Sequence, residues 1–278
     1  MFLGAHESIA GGIYKSILRA KEDGCEALQI FVKNANRWKG ASLTDEFKEK
    51  FIVEAKKFGT DKICAHSTYL INLASPIELI YKNSLECFSR ELKICDELHI
   101  PFYVIHPGSY RDSTLSDGIA RINESIKVVY DRNNYSAMTL LETTAGQGCS
   151  IGCKLEHLSE IIYKSPFEKK LGICLDTCHM YAAGYDIVND YEETIDEVLK
   201  YFKEKCKVIH INDTKIKCGA RKDRHERIME GILGKAFFTK LVNDERIIRS
   251  LGILETEKDP VVSYKRQLSI LKSLRSSQ

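Results

Sequence analysis

The stretch GICLDTCH, residues 172–179, joins a short apolar run to two residues that can bind a metal. Its first four residues are typical of a strand that is buried on both faces. Asp176 follows the run directly, and His179 comes three positions later. One turn of helix would keep these two side chains facing the same way. The stretch therefore predicts a strand whose carboxyl end carries a potential metal site.

Apolar runs of this kind, rich in β-branched residues, recur along the whole chain. They lie about 25 to 45 residues apart, which leaves room for one helix in each crossover and little more. Eight strands that alternate with helices favour an α/β fold, a closed (β/α)8 or TIM barrel, over an open sheet. The predicted strands are Phe2–Ala5, Ala27–Val32, Lys62–Ala65, Phe102–Ile105, Met138–Leu141, Gly172–Leu175, Lys207–Ile211 and Leu251–Leu254.

The segments between these runs have apolar residues at helical spacing. In the first segment Ile9, Ile13 and Ala20 would lie on one face of a helix that ends at Gly24. In the second segment Thr44 is a predicted helix N-cap, because its hydroxyl can accept a hydrogen bond from the first turn. Each crossover is thus predicted to contain a helix.

The bulk composition is that of an ordinary globular protein, with 44% hydrophobic and 29% charged residues. No linker or low-complexity tract interrupts the pattern, so residues 1–278 are predicted to form one domain. No apolar run is long enough for a membrane helix, and Met1–Gly12 lacks the pattern of a signal peptide. We therefore expect a monomer in the cytoplasm, or in the nucleus of a eukaryote, with no membrane partner.

Ten cysteines are present, and two pairs of them, Cys149/Cys153 and Cys174/Cys178, are each separated by three residues. Redox and zinc-ribbon motifs have two residues between their cysteines. Cys64 and Cys174 lie inside apolar runs, where a reduced cysteine packs as a small apolar side chain. The cysteines are therefore predicted to be reduced packing residues.

Positive charge is concentrated in one segment, residues 215–227, although the net charge of the chain is only +2. The segment contains six basic and two acidic residues, which gives a local net charge of +4. Such a segment is often no more than a solvated loop, but it can also contact phosphates. The charge alone leaves both interpretations open.

Six of the predicted strands are directly followed by, or contain near their end, an ionisable residue that can bind a metal. The carboxyl ends of all strands in this barrel open on one face, so the six side chains would converge there. A lone histidine is usually an ordinary structural residue. Three carboxylates buried together, however, are costly unless cations neutralise them. The six residues are His66, His106, Glu142, Asp176, His210 and Glu255.

The mixture of histidine nitrogen and carboxylate oxygen suits Zn²⁺ or Mn²⁺ better than Ca²⁺ or Mg²⁺. Six ligands exceed the need of one tetrahedral zinc and would serve two ions that share a carboxylate. His179, Asp223 and His225 lie in the loops at the same strand ends and could hold a third ion. A centre of this kind can hydrolyse a phosphodiester.

The motifs that carry these residues resemble the endonuclease IV family of apurinic/apyrimidinic endonucleases. The resemblance runs in the same order over essentially the whole chain, and all nine metal positions of the family pattern hold the expected residue type. The matching segments are Gly4-Ala-His6, His66-Ser-Thr-Tyr-Leu-Ile-Asn72, His106-Pro-Gly-Ser109, Leu141-Glu142-Thr-Thr-Ala-Gly-Gln-Gly148, Asp176-Thr-Cys-His-Met-Tyr-Ala-Ala-Gly-Tyr-Asp186, His210-Ile-Asn-Asp213, Asp223-Arg-His225 and Leu254-Glu255-Thr256.

The resemblance implies three zinc ions per chain, with Mn²⁺ possible at one or more sites. It also implies hydrolysis of the phosphodiester 5′ to an abasic site in duplex DNA, leaving a 3′-hydroxyl and a 5′-deoxyribose phosphate, with trimming of blocked 3′ ends. Glu142 and Glu255 would be the catalytic carboxylates. The implied ligand sets are His66, His106 and Glu142 for the first ion; Glu142, Asp176, His210 and Glu255 for the second; and His179, Asp223 and His225 for the third.

Recognition of an abasic site depends on a missing stack, because there is no base to read. Tyr69 and Leu70 follow the third strand and could act as wedges, although Tyr69 could instead be an ordinary loop aromatic packed on the barrel. Trp38, near the end of the loop after the second strand, could likewise be a stacking or a packing residue. Further expected DNA contacts are Lys33, Asn34, Asn36 and Arg37 after the second strand and Arg224 in the basic segment.

The chain departs from the family pattern at two places. The arginine that generally comes two residues after Lys-Asn is replaced by Asn36, and Arg37 follows it. Met229 stands where a glycine is common. The first departure puts a minor-groove contact in question, and neither affects a metal position.

Two other classes of function remain open from the residues. A sugar isomerase or epimerase shares the barrel and often has a two-metal site, but it needs neither a third ligand set nor a basic loop. A non-catalytic DNA-binding or metal-storage barrel would bind without turnover.

Overall fold

Eight parallel strands close into a barrel in the computed structural model, which describes residues 1–40, 43–258 and 263–276. Each strand pairs with its neighbours in chain order, and β1 closes the barrel against β8. The predicted (β/α)8 barrel is therefore confirmed, and every predicted run agrees with its strand to within one residue at both ends. The strands are β1 Phe2–His6, β2 Ala27–Phe31, β3 Ile63–His66, β4 Phe102–Ile105, β5 Met138–Glu142, β6 Leu171–Asp176, β7 Cys206–His210 and β8 Leu251–Leu254.

Helices fill the crossovers and cover the outside of the barrel. Single turns of 3₁₀ helix precede β3, β6 and β7. Among the described residues, no helix is both long and apolar enough to cross a membrane. The helices are α1 Lys15–Asp23, α2 Asp45–Phe58, α3 Glu78–Glu97, α4 Leu115–Arg132, α5 Leu155–Lys164, α6 Thr177–Ala183, α7 Tyr191–Phe202, α8 Gly234–Asn243 and α9 Lys265–Ser273.

The ends of the first two helices follow from local sequence. The Thr44 side chain accepts a hydrogen bond from the backbone N–H of Phe47, so the predicted N-cap of α2 is confirmed. Gly24 ends α1 with a positive φ of 75°. Ile9 and Ile13, however, precede α1 and are not part of it, so that part of the prediction is wrong. Two consecutive glycines with positive φ, residues 11 and 12, turn the chain between these isoleucines and delay the helix.

Small and medium apolar side chains fill the inside of the barrel. Side chains alternate between the two faces of a strand, so a residue two positions after an inward-facing residue also faces inward. Cys64 and Cys174 belong to this layer, as their apolar runs predicted, and all ten cysteines of the chain are unpaired thiols. The inner layer consists of Ala27, Cys64, Val104, Leu140, Cys174, Val208, Leu251 and Ile253.

Candidate metal centre

The six metal-capable residues predicted at the strand ends do converge on one mouth of the barrel. Each lies two positions after a member of the inner apolar layer, as His66 follows Cys64 and Glu142 follows Leu140. The two-residue period of a strand turns all six side chains toward the barrel axis, just above the apolar layer.

Glu142 lies at the centre of the cluster and is fully buried. Its Oε2 atom is 3.0 Å from Nε2 of His66 and 3.0 Å from Nε2 of His106. Its Oε1 atom is 3.1 Å from Nδ1 of His210 and 3.3 Å from Nδ1 of His179. The two oxygens thus face different histidines, which is the arrangement that a carboxylate shared between two cations requires.

A second group of four residues is formed by Glu142, Asp176, His210 and Glu255. One donor atom from each lies within 4.8 Å of the others. Nδ1 of His210 is 3.0 Å from Oε2 of Glu255 and 3.8 Å from Oδ2 of Asp176. Three carboxylates and one imidazole at this spacing match the donor set and size of a divalent metal site.

His179, Asp223 and His225 form the third group, beside the second. Nε2 of His179 is 3.2 Å from Oδ2 of Asp223, and Nε2 of His225 is 3.3 Å from Oδ1 of Asp223. Asp176 caps α6 by accepting a hydrogen bond from the backbone N–H of His179, which fixes both residues of the Asp-Thr-Cys-His segment at the mouth. The ligand atoms here that lie within 4.8 Å of one another are those of Asp176, His179 and His225, and those of Cys178, Asp223 and His225.

The ionisation of the cluster reflects its buried mixture of charges. Burial alone would raise the pKa of Glu142, but the neighbouring charges of His106 and His210 hold it well below its usual range. Burial alone would lower the pKa of His179, but Asp176, Asp223 and Glu142 raise it well above its usual range. The carboxylates therefore need positive charge beside them, and divalent cations would supply it in place of the histidine protons.

Backbone and amide groups orient several of the potential ligands from behind. Nδ1 of His66 is 2.8 Å from the carbonyl oxygen of Ser67, and Nδ1 of His179 is 2.8 Å from the carbonyl oxygen of Thr143. The Asn212 amide donates to Oδ2 of Asp176 over 2.7 Å. Each carbonyl accepts from one ring nitrogen, so the Nε2 atoms of His66 and His179 are left to face the cluster.

Two further residues complete the inner polar layer, and sequence reasoning did not single them out. His6 ends β1, and Gln29 lies on β2, two positions after Ala27 of the apolar layer. The same two-residue period that identifies the other six would have identified them. Arg111, just after the His106 segment, is a third residue that the sequence analysis missed, and it lines the cavity at the mouth.

A cavity of about 770 Å³ opens above the cluster. Tyr69 and Leu70 line it, and Tyr69 is 72% exposed with its ring packed edge-on against Phe31. Trp38 also lines the cavity while it packs against the hydrophobic core. Tyr69 is therefore free to meet a ligand at the rim, whereas Trp38 is half-buried.

The loop after β2 is divided between exposed and buried residues. Asn34, Asn36 and Arg37 are exposed, but they are not among the residues that line the cavity. The Asn34 side chain accepts a hydrogen bond from the backbone N–H of Asn36. Lys33, which we expected to offer a polar group at the mouth, is buried instead, because its ammonium forms an ion pair with Glu91.

The basic segment runs along the edge of the mouth. Arg224 is exposed and lines a smaller cavity next to His106 and Asp223, whereas Lys215 forms an ion pair with Glu226. Met229, which follows the segment, adopts a φ of 69°. The glycine preference that the family pattern shows at this position thus has a local reason, since that region costs other residues about 1–2 kcal/mol.

Comparison with known proteins first shows the class of barrel to which the chain belongs. The family model described as a xylose isomerase-like TIM barrel matches residues 17–275. Within that class, a protein of Chloroflexus aurantiacus named "Probable endonuclease 4" is 37% identical over 278 residues, covering 98% of this chain and 97% of that protein. The chain belongs to the endonuclease IV family.

Solved structures agree with this assignment. Endonuclease IV from Thermus thermophilus superposes with a TM-score of 0.88 and is 28% identical, covering 99% of this chain and 98% of the other. A D-tagatose 3-epimerase-like protein superposes with a TM-score of 0.76 at 20% identity, covering 99% of this chain and 97% of the other. The second likeness shows the shared barrel alone.

Proposed function

We propose that this chain is a metal-dependent DNA-repair endonuclease that hydrolyses the phosphodiester 5′ to abasic sites in duplex DNA. The products would be a 3′-hydroxyl and a 5′-deoxyribose phosphate. The observation that carries the proposal is the meeting of nine ionisable side chains, linked by close contacts, at one barrel mouth of an endonuclease IV family member. We further propose that residues 1–278 act as one domain and as a monomer in the cytoplasm.

Three zinc ions, with manganese as an alternative at one or more sites, fit the donor atoms. Bound there, divalent cations would stabilise the negative charge that develops on a phosphodiester during hydrolysis. The proposed sets are His66, His106 and Glu142; Glu142, Asp176, His210 and Glu255; and His179, Asp223 and His225, with Glu142 shared between the first two.

Glu142 and Glu255 are the proposed catalytic residues. Glu142 is fully buried and contacts four histidines through its two oxygens. Glu255 lines the cavity, and its Oε2 atom lies within hydrogen-bond distance of His210. These two contacts support Glu255 as the carboxylate that accepts the proton of an attacking water.

The rim of the cavity supports recognition of damaged duplex. Tyr69 and Leu70 line the cavity, which supports their proposed role as wedges that enter a base stack. Asn34, Asn36, Arg37 and Arg224 are exposed, which supports their proposed contacts with the flanking DNA backbone. We also propose a 3′-trimming activity, which is what the resemblance to the endonuclease IV family implies.

The sugar isomerase or epimerase alternative shares the barrel, as the epimerase-like structure shows. Two features favour a nuclease over it. The third group, His179, Asp223 and His225, exceeds a two-metal sugar site. The basic segment, residues 215–227, lies beside the mouth and suits a polyanion.

The deciding experiment incubates the metal-loaded protein with an abasic duplex, an undamaged duplex and a ketose in parallel. We expect cleavage of the abasic duplex alone, one nick per site, with metal analysis giving three ions per chain. Glu142→Gln should abolish cleavage while part of the duplex binding survives, and Glu46→Gln, on the exposed face of α2, should behave as wild type. Ketose turnover without nicking would overturn the proposal, and binding without nicking would favour a non-catalytic barrel.

The salt dependence of binding tests the basic segment separately. If its exposed residues contact phosphates, the logarithm of the duplex binding constant should fall linearly with the logarithm of the salt concentration. Lys222→Ala and Arg224→Ala should each reduce that slope by about one. A slope unchanged in both variants would remove the segment from the DNA interface.

A further inference from the structure

Gln29 touches three members of the polar layer through a single buried amide. Its Nε2 atom is 2.6 Å from Oε1 of Glu255 and 3.0 Å from Nδ1 of His6. Its Oε1 atom is 2.9 Å from Nε2 of His210. The side chain is fully buried, and the Cys64 thiol donates a longer contact of 3.5 Å to the same Oε1 atom.

Hydrogen-bond chemistry fixes which way this amide points. A carboxylate can only accept, so the amide atom that faces Glu255 must be the NH₂ group. The amide oxygen then faces His210, and because it can only accept, Nε2 of His210 must carry a hydrogen. When a metal ion takes the place of the second ring proton, the lone pair of the His210 ring is therefore on Nδ1, the atom that faces Glu142 and Glu255.

The same amide also selects the free oxygen of Glu255. Oε1 of Glu255 is occupied by the Gln29 NH₂ group, which leaves Oε2. Oε2 of Glu255 and Nδ1 of His210 are 3.0 Å apart, so the two remaining donor atoms face one point. One neutral side chain thus determines which atom each of two potential ligands can offer.

We propose that Gln29 is a positioning residue of the second metal set, which fixes the tautomer of His210 and the orientation of Glu255. This inference rests on the proposed metal centre. The second hydrogen of the NH₂ group points to Nδ1 of His6, so the His6 proton is on Nε2. That atom has no hydrogen-bond partner among the described residues, in a side chain that lines the cavity.

Glutamine is the only residue type that satisfies all three neighbours at this position. A glutamate would place a second carboxylate against Glu255, and a leucine of similar size would leave His210 free to exchange tautomers. Residues that orient metal ligands from behind typically contribute about 10–100-fold to metal affinity. Gln29→Leu and Gln29→Glu are therefore the informative variants.

The first test measures zinc affinity by competition with a chelator, in full-length protein stripped of metal. Gln29→Leu should weaken one of the zinc sites about 10–100-fold, and Gln29→Glu should weaken it less, because a carboxylate can still accept from Nε2 of His210. Thr139→Val, a buried polar change on the outer face of β5, is the matched control and should leave zinc affinity unchanged. Equal zinc affinity in wild type and Gln29→Leu would overturn the proposal.

The second test needs no variant and reads the tautomer directly. In ¹⁵N-histidine spectra of the zinc-loaded wild type, His210 should show hydrogen on Nε2 and metal on Nδ1. Hydrogen on Nδ1 would overturn the proposal even if Gln29→Leu failed to fold. Neither test uses DNA: a wild type that binds zinc in this way but cuts no abasic duplex would contradict the nuclease function while supporting the role of Gln29.

Discussion

The ammonium of Lys33 lies 3.1 Å from Oε1 of Glu91, and both side chains are buried. Lys33 also donates to the carbonyl oxygen of Arg37 over 2.6 Å, within the loop after β2. The other oxygen of Glu91 accepts hydrogen bonds from Tyr103 and from the backbone of Thr68, which immediately precedes Tyr69. One buried ion pair thus holds the two loops that carry most of the proposed DNA contacts.

Lys33→Met should destabilise the protein by about 3–5 kcal/mol, because it leaves the Glu91 carboxylate buried without a cation. The double variant Lys33→Met/Glu91→Gln should recover much of that loss, since the uncompensated charge is gone. Urea unfolding of both variants measures the effect. Lys50→Met, at an exposed pair with Glu46, is the control. A cost for Lys33→Met no larger than for Lys50→Met would show that the ion pair does not hold the loops.

Tyr69→Ala should weaken binding to an abasic duplex by about 1–3 kcal/mol, the range found when a side chain that stacks on a base is removed. Its effect on the free energy of unfolding should be small, because the side chain is 72% exposed. Tyr163→Ala, at a tyrosine exposed on α5, provides the matched control. Fluorescence anisotropy with abasic and intact duplexes separates the outcomes. Equal losses for the two variants would remove Tyr69 from the interface.

Periodicity carried most of the fold and much of the site. The barrel followed from apolar runs at regular spacing, and the convergence of His66 and Glu142 followed from their places at strand ends. The same period reaches Gln29, but a glutamine is not a metal ligand, and its role is visible only once its three neighbours are known. His6 directly follows the predicted strand Phe2–Ala5, so the strand-end criterion that selected the other six residues would have selected it as well.

Long-range packing explains what local sequence could not predict. Lys33 looks like a loop lysine until Glu91, on a helix 58 positions further along, is seen to cover it. Ile9 and Ile13 keep helical spacing, yet the backbone between them turns at two glycines. The local sequence pattern thus predicts which strand residues face the inside of the barrel. Contacts between distant elements decide which loop side chains are buried.

Removal of metal should lower the stability of the protein, and added zinc should reverse this loss. At a concentration 100 times its Kd, one bound ion contributes about 2.7 kcal/mol. Dialysis against a chelator should therefore lower Tm by several degrees, measured by calorimetry, and added Zn²⁺ or Mn²⁺ should restore it. The Asp223→Asn variant should bind two ions instead of three. Its Tm should equal that of wild type when both proteins are free of metal. Two ions in the wild type with zinc in excess would rule out the third set.

Glu7 should make the free energy of unfolding depend on pH at values above the ordinary pKa of a glutamate. Burial raises the pKa of Glu7 to about 7 from 4.5, and hydrogen bonding with Asp23 adds to this, although Lys258 at 3.0 Å opposes it. A folded pKa above the unfolded value means that the contribution of protonated Glu7 is complete below pH 4.5. It is then lost as pH rises through 7. The total corresponds to about 3 kcal/mol.

Glu7→Gln keeps a neutral side chain at every pH and so should escape this loss. Between pH 4.5 and 8, the free energy of unfolding of the variant should rise relative to wild type by up to about 3 kcal/mol. Urea titrations at several pH values across that window measure the difference. Glu46→Gln, on the exposed face of α2, should run parallel to wild type throughout. If Glu7→Gln also runs parallel, Glu7 ionises normally in the folded protein, and its neighbour Lys258 must compensate fully for the burial.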